Sequence, residues 1–246
     1  MKRASHGRVL FGAAAVVFGV IALLWHDADT WQEVARIWKM PFGVTIGVVL
    51  MVAQIIGGLL LMFPRSVRVA SILLLIVYGV FSLASASGIL AAPRVFGEYD
   101  GFFEQFCLLC GAIAVYASTD ANRREAAAMG HFARIGLALC AVSFTVAQIV
   151  YPQMTASLVP RWIPPNQMFW AVLTTVAFAL AAIAVLINRR ARLAIRLMTL
   201  MLVLFGALVW VPMLIAQPSS HGNWSEFALT LLIAGASWTI SELRSF

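Results

Sequence analysis

Charge is what this sequence has least of. Of its 246 residues only 11% are Asp, Glu, Lys or Arg, whereas a globular domain carries about a quarter. With 62% hydrophobic residues and a mean hydropathy of +0.93, too few polar side chains exist to cover a water-facing surface. That excludes a soluble domain and predicts an integral membrane protein. Three cysteines are too few for a framework of structural disulfides. The apolar runs lack the period-two alternation of a membrane barrel, so they predict helices. The sequence also contains no nucleotide-binding loop, zinc-protease motif, paired haem-ligand histidines or central run of charges. Basic residues outnumber acidic ones by 17 to 10, but they punctuate the gaps between apolar runs. This pattern points to topology signals and anionic lipid head groups, and away from nucleic acid.

Apolar runs are there in quantity. A bilayer core needs about 17–25 helical residues per crossing. Eight segments qualify: 8–25, 43–63, 67–91, 102–118, 132–151, 168–187, 192–216 and 224–241. Thirteen of the 17 Lys and Arg residues fall on one side of this arrangement; Arg36, Lys39, Arg94 and Arg161 fall on the other. Both termini are therefore expected in the cytoplasm, with a multi-pass chain in the inner membrane of a bacterium. The N-terminal run is expected to be an uncleaved first span, because His26-Asp27-Ala28-Asp29 follows it where a small-residue cleavage site would lie.

The eight runs fall into two sets. Trp38-x-x-Pro41 recurs as Trp162-x-x-Pro165, Arg68-x-Ala70 as Arg192-x-Ala194 and Phe81 as Phe205, each 124 positions on. Arg8 and Phe18 pair with Arg134 and Phe144 at an offset of 126, and Glu104 pairs with Glu226 at 122. The expected all-α architecture is two four-helix repeats, 1–120 and 132–246, joined by a cytoplasmic linker at 121–131. Four being even, both repeats insert in the same sense, as parallel repeats do. Gly43-x-x-x-Gly47, Gly57-Gly58, the stretch from Ser82 to Gly88 and Ala234-Gly235-Ala236 suit close helix packing.

These features together resemble DoxX-like membrane proteins. The resemblance is carried by a long outward first connection, a Gly-rich second helix, Arg-x-Ala opening the third and Glu opening the fourth. It is closest in the second half, at Val159-Pro160-Arg161-Trp162-Ile163-Pro164-Pro165, then Arg189-Arg190-Ala191-Arg192, then Asn223-Trp224-Ser225-Glu226-Phe227-Ala228. The first half departs from it after Trp38, where the Pro-Pro pair is missing. The family is similar to membrane subunits of quinol-linked and thiosulfate-oxidising systems. It implies an accessory or anchoring subunit of a quinone-linked redox system, with quinone or lipid bound between the halves and a partner oxidoreductase subunit.

The residues themselves nominate several sites. Glu104 and Glu226 are expected at the outward start of the last helix of each repeat, as first-turn acids or as groups facing the interior to bind a head group, a quinone carbonyl or a proton. Cys107-Leu-Leu-Cys110 follows Glu104 along what is expected to be one side of the helix. Such a pair near a helix N-terminus cycles between dithiol and disulfide, which would make the chain a quinone-coupled thiol oxidoreductase with Glu104, Cys107 and Cys110 catalytic. The plainer account is apolar packing, and Cys140 is expected in the core. His26 and His221 join Glu104 and Glu226 as an outward cluster, without a recognised metal-ligand spacing. Trp25, Trp31, Trp38, Trp162, Trp210 and Trp224 form an aromatic belt, with Trp162 and Trp224 also available to stack on a ligand. Gln54 and Gln148 are expected to hydrogen-bond between helices, and Pro212 to kink the seventh span. A small-molecule transporter is the third functional class that the repeat allows.

Overall fold

A computed structural model describes residues 5–25 and 41–243. Every regular element among them is helical. The helices are α1 (His6–Trp25), α2 (Gly43–Leu61), α3 (Val67–Ala91), α4 (Phe96–Thr119), α5 (Arg123–Val150), α6 (Pro152–Leu158), α7 (Gln167–Leu186), α8 (Ala191–Ala216) and α9 (His221–Ser241). Seven of them, α1 to α5, α7 and α8, are long and apolar enough to cross a membrane. The chain is an all-helical protein of the multi-pass membrane type.

Neighbours in sequence pack side by side from α1 to α5, then α5 on α7, α7 on α8 and α8 on α9. The last helix, α9, returns to pack along α1 and also touches α4. It is the most enclosed element, with 14 of its 21 residues buried, against 5 of 20 in α7. That explains its composition. A helix walled by other helices needs no lipid-compatible surface, so α9 can carry buried Asn223, Ser225, Ser237 and Thr239. Its low apolarity reflects its central place.

Glycine sets how closely these helices approach. A Cβ on Gly12 of α1 would lie 2.7 Å from the Gly58 carbonyl oxygen of α2, and one on Gly111 of α4 would lie 2.5 Å from the Ala236 Cβ of α9. Gly57 and Gly235, expected at close contacts, face Leu74 and Phe11 respectively. Gln54 Nε2 donates to the Ala15 carbonyl at 3.0 Å, and Thr175 Oγ1 donates to Gln148 Oε1 at 2.8 Å, so both glutamines bridge helices.

Several helices begin earlier than the apolar runs suggest. α4 starts at Phe96 instead of 102, and α5 at Arg123 instead of 132. The connection expected at 121–131 is thereby reduced to Asp120–Asn122. Asn122 caps α5 by accepting from the Arg124 N–H at 3.1 Å, which lets charged residues continue the helix beyond its apolar part. Asn166 and Ser220 cap α7 and α9 in the same way. Just before Pro212 the helix passes through a π-helical turn, Gly206–Trp210, whose end is marked by the Val211 N–H donating to the Gly206 carbonyl five residues back. Proline offers no N–H to the carbonyl four residues before it and crowds that carbonyl, and the wider turn accommodates both effects.

Candidate functional site

A cavity of about 1020 Å³ lies among seven of the helices. From α4 it takes Gly97, Asp100, Gly101, Glu104 and Gln105. These positions recur every three or four residues and so share one helix face. From α9 come His221, Ser225, Glu226, Leu229 and Ile233, from α1 Phe18, and from α5 Phe144 and Gln148, with Tyr151 just after that helix. Trp170, Thr174 and Phe178 of α7 and Met201, Phe205, Leu208 and Trp210 of α8 also line it. Met154, Leu158 and Ile163, on α6 and the segment after it, complete the lining.

The lining mixes polar and apolar side chains. Polar residues of the first three turns of α4 and the first two of α9 line it together with Gln148, Thr174 and Thr230, beside apolar Leu229, Ile233, Phe178, Met201 and Phe205. Ser143 Oγ donates to Asp100 Oδ1 at 3.4 Å, and the Gly97 N–H donates to the Tyr151 hydroxyl at 3.3 Å, fixing the start of α4 against α5. Trp210 Nε1 donates to Thr230 Oγ1 at 3.0 Å, tying the π turn to α9. The Trp25 ring stacks on His221 at 5.1 Å. Two polar atoms on this wall, Gln105 Oε1 and Ser225 Oγ, are buried and have no hydrogen-bond partner among the described residues.

The structure sorts the nominated residues. Glu104, Glu226 and His221 meet at this one cavity although 122 positions separate the two acids. Neither acid is in a first turn. Glu104 lies in the third turn of α4, where Glu98 holds the first-turn place, and Glu226 lies in the second turn of α9. Dipole stabilisation fades beyond the first turn, so helix capping does not account for either of them.

Cys107 and Cys110 stand apart. Both are fully buried with free thiols, and neither lines the cavity. They begin eleven residues into α4 and so lack the helix N-terminal setting that activates such pairs. Cys110 also lies off the face of Glu104, while Cys107 lies at its edge. At roughly 100° per residue, steps of three and six residues rotate Cys107 by about 60° and Cys110 by about 120° away from it. Cys110 packs against Gly136 of α5, and Cys140, also on α5, is buried as expected.

Trp162 is exposed and outside the cavity lining, and Trp224 donates to the Pro218 carbonyl at 2.9 Å, also outside it. His26, Trp31 and Trp38 lie outside the described residues. Among the described residues no three His, Cys, Asp or Glu side chains converge to hold a metal ion.

Asp100, Gln105, Ser225, Tyr151 and Trp170 are additions that the sequence did not nominate. Asp100 was accessible in principle, since it precedes Glu104 by four residues on the same helix face. Comparison with known protein families, with curated proteins and with solved structures found no match.

Proposed function

We propose that this chain is a DoxX-like inner-membrane protein of two parallel four-helix halves, with both termini cytoplasmic, that holds an amphipathic molecule between the halves. Its role is that of an accessory or anchoring subunit of a quinone-linked redox system, with the bound molecule a quinone or a lipid. The observation that carries this proposal is the cavity itself. It is large enough for a ligand at the upper end of the small-molecule range, carboxylates and apolar side chains both line it, and helices from both halves contribute.

The packing order supports the division into halves. α1 to α4 pack in succession, and so do α5, α7, α8 and α9; the last helix of each set packs on the first helix of the other. Phe18 and Phe144, and Glu104 and Glu226, are pairs that recur between the halves, and all four line the cavity. Ionisable groups placed within apolar spans are costly and mark sites where something is bound or moved. Nothing comparable supports thiol chemistry, because Cys107 and Cys110 are buried and neither lines the cavity.

The test is purification from native membranes in mild detergent, with mass spectrometry of whatever accompanies the chain. A stoichiometric amphiphile together with a co-purifying oxidoreductase subunit is expected. A monodisperse chain with neither would overturn the proposal.

A further inference from the structure

We infer that the occupant of this cavity is an amphiphile already dissolved in the bilayer, and that it enters sideways through a portal between α7 and α8. This rests on the proposal that the cavity is a ligand site, and it goes further by assigning the ligand's source and route.

α7 and α8 are joined by a short connection, 187–190, and so run antiparallel. They meet where Phe178 packs on Phe205, with ring centroids 6.4 Å apart. α7 packs against Ala191–Phe205 of α8, whereas Gly206–Ala216 packs on α9. The change of partner begins at the π turn, and such turns frequently mark functional sites within helices.

The exposed surface of α8 shows what the gap faces. Leu197, Leu200, Leu204, Leu208, Val211 and Ile215 are exposed and recur every three or four residues, so they form one stripe that meets lipid. Two of them, Leu204 and Leu208, also line the cavity. The lipid-facing surface and the cavity surface therefore join on α8, at the level where it parts from α7. Among the described residues the facing edge on α7 is Trp170 and Thr174, both half-buried cavity-lining residues. Trp170 Nε1 donates to the Pro164 carbonyl at 2.8 Å, which holds the segment after α6 to the start of α7. Met154 and Leu158 of α6, exposed and apolar, line the cavity as well. A long apolar chain dissolves far better in lipid than in water, so an amphiphile in the membrane reaches this opening without first entering water.

Photolabelling of the full-length chain in vesicles of phosphatidylethanolamine and phosphatidylglycerol tests the route. One probe is a diazirine-tagged hexadecanol dissolved in the bilayer, and the other a diazirine-tagged butanol supplied from water. The hexadecanol probe should form adducts on Leu229 and Ile233, which line the cavity on the enclosed helix α9, and on exposed Leu180, which does not line it. Leu208→Trp should remove the α9 adducts and keep those on Leu180. Leu197→Trp, on the same stripe but off the cavity, should change neither. Leu208→Ala, which widens the opening, should raise α9 labelling and keeps the test decisive if the tryptophan variant fails to fold. Labelling of α9 that is indifferent to both Leu208 substitutions, or that comes from the butanol probe alone, would overturn the portal and leave the cavity a ligand site. No α9 adduct with either probe would overturn the ligand site too.

Discussion

Trp25, the last residue of α1, stacks on His221, the first of α9, with ring centroids 5.1 Å apart and planes within 5° of parallel. Two helices at opposite ends of the chain are thus clasped at the rim of the cavity that His221 lines. An aromatic pair of this kind contributes about 0.5–1.5 kcal/mol beyond its buried area. Trp25→Ala should lower the melting temperature of the detergent-solubilised protein, and Trp25→Phe should recover part of the loss. Equal melting temperatures for Trp25→Ala and the parent protein would show that the clasp contributes nothing.

Close approach of α1 and α2 depends on the absence of a side chain at Gly12. Gly12→Ala places a methyl 2.7 Å from a backbone oxygen that cannot swing away, so the helices must separate. A loss of about 1–3 kcal/mol is expected, as for other overpacked interfaces. Gly79→Ala is the control, because nothing lies within 4 Å of the added atom, and it should be neutral or slightly stabilising. Unfolding titrations of the two variants side by side decide the matter.

Gln54 invites a larger expectation than it merits. Its hydrogen bond to the Ala15 carbonyl is fully buried, but such bonds between membrane helices contribute only about 0.6 kcal/mol on average. Gln54→Leu should therefore cost about 1 kcal/mol or less. A cost several times larger, read from the same unfolding titration, would mean that Gln54 serves something besides α1–α2 packing.

All three thiols should be silent in the folded protein. Cys107, Cys110 and Cys140 are 0% exposed, and none forms a disulfide. Maleimide should add no mass under native conditions and three adducts after denaturation. Cys107→Ala with Cys110→Ala should leave amphiphile binding unchanged. Native labelling of either cysteine, or loss of binding in the double variant, would return the thiol pair to the site.

The proposed orientation has its own test in a cysteine-free chain. Arg124→Cys, beside the start of α5, should react with a membrane-impermeant maleimide only after lysis. Ser157→Cys, on α6, should react in intact cells. The reverse pattern would invert the arrangement.

Much of the fold was legible because lipid imposes a simple rule on whatever faces it. Each long helix left an apolar run, and the ends of those runs misled only where capped, charged turns extend the helix, as at Phe96 and Arg123. Position within the bundle was less visible. The polar residues of α9 could be read as a weak span, and packing shows them to belong to a central helix. The site was half legible for a related reason. Glu104, Glu226 and His221 stood out as ionisable groups in apolar surroundings, but the cavity needs seven helices to exist, and no local pattern encodes it. Cys110 falls off the face of Glu104, since two steps of three residues drift too far around a helix to keep one face, and neither cysteine lines the cavity.

The π turn at Gly206–Trp210 has a consequence for how this chain tolerates insertions and deletions. It holds one residue more than an α-helical turn spanning the same rise would. Removing a single residue there would let the helix close into regular α geometry while the segments on either side keep their relative orientation, because the turn already absorbs the extra residue. Only the residues of the turn would be re-aimed, Trp210 with its bond to Thr230 among them, although no residue of α9 had changed. A one-residue deletion, ordinarily confined to loops, is thus available here inside a membrane helix as a way of reshaping what the cavity admits.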